Sequence, residues 1–122
     1  MDNRNIDIGM TGEEIAANFL EKQGCVILER NYRAQHGEID IIARTDKHLI
    51  FVEVKTRTSS EFGTPAEKVD RKKRNFLIRT AELYLYEHPT ELYMRFDVAE
   101  VMLTSNKRYG TIRFIEDAFI KM

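Results

Sequence analysis

Two apolar runs lie between His36 and Arg57, "HGEIDIIARTDKHLIFVEVKTR", and charges interrupt both: Glu38 and Asp40 in the first, Glu53 and Lys55 in the second. Burying a charge is costly unless something pairs with it. Two carboxylates held close together raise one another's pKa and resist joint ionisation. A divalent cation removes that conflict, and hard oxygen donors suit Mg²⁺ or Mn²⁺. Lys55, two residues after Glu53, adds a positive charge at the same place. The competing reading is a polar strand end in which Glu53 and Lys55 face water, and it leaves Asp40 unexplained.

For Asp40 and Glu53 to meet, the two runs must be neighbouring strands. "EIDIIAR" (38–44) and "LIFVEVKTR" (49–57) are separated by the turn-like "TDKH", which predicts an antiparallel hairpin. Period-two alternation then puts Glu38, Asp40 and Ile42 on one face and Ile39, Ile41 and Ala43 on the other. In the second strand Leu49, Phe51, Glu53 and Lys55 share a face, opposite Ile50, Val52 and Val54. Both faces of that strand begin apolar, which predicts a central strand. "CVILERNYR" (25–33) reads as a strand before the hairpin, with a bend over 34–37.

Helices flank these strands. "TGEEIAANFLEKQG" (11–24) carries a capping box at Thr11 and Glu14 and a glycine stop at Gly24. Ile15, Ala16, Phe19 and Leu20 make its apolar stripe. Glu14 falls with Asn18 and Glu21 on the wet side, whereas Glu13, in line with Ala16 and Leu20, leans towards the core. A second helix is predicted from Thr64, Pro65 and Glu67 to about Glu87, before Pro89. Its buried stripe is expected at Val69, Phe76, Leu77, Thr80, Ala81 and Tyr84, with Lys73 on the same line. "YMRFDVAEVML" (93–103) and "TIRFIEDAF" (111–119) read as two further strands. A strand–helix–strand crossover makes the third and fourth strands parallel neighbours.

The remaining composition sets bounds. The 122 residues, 43% hydrophobic and 32% charged, suit one soluble α/β domain over 1–122. Cys25 is the only cysteine, which excludes an intrachain disulfide and argues against a thiolate zinc cluster. No apolar run is long enough to span a membrane, and the N-terminal residues lack an apolar signal core, so a cytoplasmic protein is expected. The net charge of −1 gives no global attraction to a polyanion. Between Lys68 and Arg79, however, six basic residues face one acidic residue, either a solvated helix face or a strip for contacting phosphates.

An αβββαβ order with Asp40 on the second strand and Glu53-x-Lys55 on the third resembles the restriction-endonuclease-like, PD-(D/E)xK nuclease fold. The similarity is closer still to the YraN family of endonuclease-like bacterial proteins. It rests on "GMTGEEIA" (9–16), "GEIDIIA" (37–43), "FVEVKTR" (51–57), "FGTP" (62–65), Lys73 with Ala81, "RFDV" (95–98) and "DAF" (117–119), and so covers almost the whole chain. Archaeal Holliday-junction resolvases share the same core more distantly.

The resemblance implies a mixed sheet flanked by helices, with an extra C-terminal strand. It further implies metal-dependent hydrolysis of phosphodiester bonds in DNA, structured or branched DNA above all. Asp40 and Glu53, with the Val54 carbonyl, match the metal-binding groups; Glu13 matches the helix-one acid, and Lys55 the lysine that assists the phosphate. The role of Glu38 is less defined. Lys73, Lys72, Arg74 and Arg57 would hold the nucleic-acid backbone, and a homodimer would suit a two-strand cut. Ile39 stands where the motif has proline. Two other readings use the same residues: a domain that binds nucleic acid without cutting it, and a protein-interaction module on a nuclease scaffold.

Overall fold

In a computed structural model, residues 8–35, 37–58, 71–103 and 110–118 are described. The elements run α1 (Ile8–Lys22), β1 (Val26–Ala34), β2 (Gly37–Arg44), β3 (His48–Thr58), α2 (Arg71–Glu87), β4 (Tyr93–Leu103) and β5 (Gly110–Ile115). The strands form one mixed sheet in the order β1-β2-β3-β4-β5. Only β3 and β4 are parallel; the other neighbours are antiparallel. This is the α/β architecture expected, consistent with a restriction-endonuclease-like core extended by β5.

Alternation along β3 divides the core into two layers. Ile50 and Val52 pack with Ala16, Ala17 and Leu20 of α1, together with Ile41 and Ala43. Leu49 and Phe51 pack with Leu77, Ala81 and Tyr84 of α2, together with Ile42, Phe96 and Val98. Ile39 departs from the expected alternation, joining the α2 layer instead of the face of Ile41 and Ala43. The register of β2 with β1 is unbroken from Ile39 to Ile42, so no bulge in β2 accounts for the change. Tyr32, the β1 partner of Ile39, packs against the same layer, and Asn31 before it has φ of 56°. The end of the β1–β2 pair therefore turns as a unit towards α2.

α1 closes as its sequence predicts. Cys25 N–H donates to the Leu20 carbonyl and Gly24 N–H to the Glu21 carbonyl, each at 3.0 Å, with Gly24 at φ +93°. That pairing is a Schellman stop, which needs the left-handed residue. The helix start is different: α1 begins at Ile8, so Thr11 lies within the helix and is not its cap. The start expected for α2 at Thr64, Pro65 and Glu67, and Val69 of its stripe, lie outside the described residues, while its end at Glu87 agrees.

Phe76 is 36% exposed and not part of the buried stripe. Its Cβ lies 3.7 Å from where a side chain on Gly37 of β2 would begin. The stripe is shifted towards Ile78 and Leu85, which pack on the core. Thr80, buried within the stripe, directs its hydroxyl to the Phe76 carbonyl at 2.8 Å, the usual way to satisfy a hydroxyl inside a helix.

β5 stops at Ile115, short of the strand predicted to 119, because Glu116 and Asp117 turn and Asp117 has φ of 56°. The turn is fastened to β4. Asp97, 0% exposed, accepts the Asp117 N–H at 2.8 Å and holds the Arg95 guanidinium through contacts of 2.9–3.1 Å. Burial alone would lower the Arg95 pKa; the hydrogen bonds and charge of Asp97 outweigh it and hold that pKa above its ordinary value. "RFDV" and "DAF", read in sequence only as landmarks, are the two halves of this clasp.

Candidate metal and nucleic-acid site

The site begins where two strands part. β2 and β3 pair through only four residue pairs, from Arg44 with Leu49 to Ile41 with Val52. β3 then continues to Thr58 alongside β4, while β2 stays with β1. From Glu53 onwards the β2 side of β3 therefore lacks a backbone partner, and a buried N–H without one is destabilising. Asp40 fills the gap with its side chain: Oδ2 accepts the Val54 N–H at 2.8 Å. The split thus draws the Asp40 carboxylate to the main chain one residue beyond Glu53.

Asp40 is half-buried and Glu53 is 7% exposed. The Asp40 carboxyl is pushed up to about 7, by burial first and by the charge of Glu53 next; the Val54 hydrogen bond opposes, and Glu13 and Glu38 add smaller upward effects. Four acids therefore act on this notch, with Glu53 the strongest neighbour of Asp40. Among the described residues, no three Asp, Glu, His or Cys side chains gather closely enough to ligate a single ion.

Each helix contributes from its own side. Gly12 of α1 lies directly on Thr56 of β3, where an added methyl would overlap the threonine hydroxyl and come within 3.1 Å of its Cβ. That close approach explains a glycine inside a helix, a position it otherwise destabilises. It also sets the half-buried Glu13 beside the notch, where Arg30 Nη2 of β1 lies 3.8 Å from Glu13 Oε1; Glu14 is exposed. From α2, Lys73 Nζ reaches Glu53 Oε2 at 2.9 Å.

The structure thus brings Asp40, Glu53, Val54 and Glu13 to one region. Lys55 is half-buried two residues beyond Glu53 and in register with Glu100 of β4, itself 3.6 Å from Arg113. Arg57 continues the same strand and is half-buried. Lys72 is exposed on the first turn of α2. Arg74 is half-buried, its Nε covered and without a hydrogen-bond partner among the described residues. Glu38 lies further out, opposite Arg33 on β1 and 3.5 Å from its Nε. Arg30 is the site neighbour that sequence reasoning missed; an alternating strand marks it as a surface residue and gives no sign of its partner. His36 lies outside the described residues.

Among the described residues no helix is long and apolar enough to cross a membrane. The family model of uncharacterised protein family UPF0102 matches residues 12–101. That span runs from the α1 glycine against Thr56 to Val101 of β4, and so includes every site residue above. The chain is 45% identical over 117 residues to a UPF0102 protein of Clostridium botulinum strain 657, covering 94% of this chain and 95% of that one. It is 42% identical over 116 residues to a UPF0102 protein of Dictyoglomus thermophilum, covering 94% and 98%.

Proposed function

The chain belongs to the UPF0102 family, the YraN family of its sequence resemblance, and from that premise we propose that it is a metal-dependent endonuclease acting on DNA. The observation that carries this reading is the parting of β2 and β3, which sets the Asp40 carboxylate against Val54 beside the buried Glu53. A split sheet that merely needed a hydrogen-bond acceptor at Val54 would not also require a second carboxylate at its mouth.

The donor set fits Mg²⁺ or Mn²⁺. Mg²⁺ is commonly held by one or two protein carboxylates, with waters and substrate phosphates completing the shell. Asp40 and Glu53 supply those carboxylates. The Val54 carbonyl supports them, since the N–H and C=O of one strand residue face the same side and its N–H faces Asp40. A bound cation supplies an acidified water and charge stabilisation at phosphate. Lys55 stands on the face of Glu53 and assists negative charge developing on the scissile phosphate. Glu13, on α1, would hold a water of such a cation. Lys72, Lys73, Arg74 and Arg57 engage the nucleic-acid backbone, giving affinity that falls with salt. Nothing in this set reads base edges, so the favoured substrates are recognised by shape, as at branches and flaps.

The test is incubation with linear, single-stranded, flapped and four-way DNA in Mg²⁺, Mn²⁺ or EDTA, beside Asp40→Ala and Lys55→Ala. Metal-dependent cleavage by the wild type alone is expected. Cleavage no greater than that of the variants on every substrate would reject the enzyme. Retained DNA binding in EDTA would then favour a binding domain, and loss of binding a protein-interaction module.

A further inference from the structure

Glu53 is engaged by an ammonium from a separate element. Lys73 lies on the helical line of Leu77, Thr80, Ala81 and Tyr84, the residues α2 buries, but projects past the apolar layer to Glu53. The two partners are unequal: the Glu53 side chain is 8% exposed and that of Lys73 is 50% exposed. The carboxylate cannot turn to water, whereas the ammonium, on a flexible four-carbon stem, can. An ionised Glu53 left without a positive partner would be strongly unfavourable. In the metal-free protein Lys73 supplies that partner.

We propose that Lys73 is a built-in counterion which a divalent cation displaces from Glu53, the freed ammonium then contacting a phosphate of the bound nucleic acid. The proposal rests on the reading of Asp40 and Glu53 as a metal-binding pair. A divalent ion and an ammonium on the same carboxylate repel one another at contact distance. The more exposed and more flexible of the two gives way. Lys73 belongs to the basic run that opens α2, so its release adds one positive charge to that end of the helix. Metal occupancy thereby sets the number of backbone contacts. Linkage makes the coupling reciprocal: nucleic acid that captures Lys73 tightens the metal.

Two measurements test this on the full chain. In the first, Mn²⁺ binding is followed by loss of the free-ion paramagnetic signal. Lys73→Met is expected to bind about fivefold more tightly than wild type, the scale of a half-exposed ion pair. Lys73→Arg, which keeps the pair and can make it bidentate, binds no more tightly than wild type. In the second, affinity for a short duplex is measured against salt, in Ca²⁺ and in EDTA. The wild-type slope should exceed that of Lys73→Met by about 0.9 in Ca²⁺ and by almost nothing in EDTA.

Equal Mn²⁺ affinity in wild type and Lys73→Met overturns the proposal, as does a slope difference that is the same with and without Ca²⁺. If Lys73→Met does not fold, tighter Mn²⁺ binding by Lys73→Arg overturns it alone. Absence of Mn²⁺ binding from every variant rejects the metal pair itself, and the proposed function with it.

Discussion

Asp40→Asn in the metal-free protein separates a functional carboxylate from a structural one. Asparagine keeps an oxygen for the Val54 N–H at Oδ and removes only the ionisation. In the folded chain the Asp40 carboxyl is pushed up to about 7, by burial first and by Glu53 next, against about 3.9 in an unfolded chain. Between those values the folded state holds a proton that the unfolded state has lost. Wild-type stability therefore falls as pH rises from about 4 to about 7, then levels off. The whole shift corresponds to about 4 kcal/mol. Asp40 is only half-buried, and solvent screening reduces this to a working magnitude of about 2 kcal/mol. In EDTA at pH 8.5, Asp40→Asn should melt roughly 6 °C above wild type. The gap should close as pH approaches 4. Adding Mn²⁺ should raise the wild type and leave the variant unmoved. Thermal melts by circular dichroism across this pH range read all three effects. A variant less stable than wild type at pH 8.5, by the margin it shows at pH 4, would refute the reasoning and make Asp40 a plain hydrogen-bonding residue.

Other predictions follow from separate parts of the structure. Gly12→Ala forces a methyl onto Thr56 and should cost about 1–3 kcal/mol by overpacking, read as a lower urea midpoint; pairing it with Thr56→Ser should not restore stability, because the hydroxyl remains. Asp97→Ala leaves the Arg95 guanidinium without its carboxylate and should cost about 3–5 kcal/mol in urea melts, with Arg95→Met on the same background recovering part of it. Lys55→Ala should lower metal-dependent cleavage by about 10²-fold or more while leaving the melting temperature close to wild type, since among the described residues it forms no ion pair. A large drop in melting temperature would instead make Lys55 structural.

Much of the fold was legible because its signals are local. The hairpin turn, the two faces of β3 and the Gly24 stop depend on neighbouring residues, and the parallel β3–β4 pairing follows from the helix between them. The site was half legible. Charges within apolar runs pointed to Asp40 and Glu53, and helical spacing put Lys73 on the inner line of α2. What spacing could not supply was the length of the β2–β3 ladder. Alternation has the same period whether two strands stay paired or part at Ile41, so Ile39's change of layer and the Asp40–Val54 bond carried no sequence signal. The Lys73–Glu53 pair depends on where the first turn of α2 sits above β3, which is a tertiary fact. Phe76 was expected inside because a phenylalanine beside a stripe reads as part of it, yet it lies at the stripe's exposed edge. Asp97 entered the sequence reading only inside the landmark "RFDV", although it is the fully buried centre of the C-terminal clasp.

The strand order bears on how the chain reaches this state. Every strand neighbours the next in sequence, so three of the four steps across the sheet close short or moderate loops. The exception is β3 with β4, eleven residue pairs from His48–Tyr93 to Thr58–Leu103, joined across the whole of α2. Loop-closure entropy falls most heavily there, and long-range pairing of this kind sets folding rates. Formation of the β1–β2–β3 meander before β4 docks would leave Asp40 and Glu53 adjacent but Glu53 without Lys73. Closure of β3 on β4 seats α2 and delivers that lysine. The longest-range pairing thus brings with it the helix whose lysine meets the buried carboxylate, which ties completion of the site to completion of the fold.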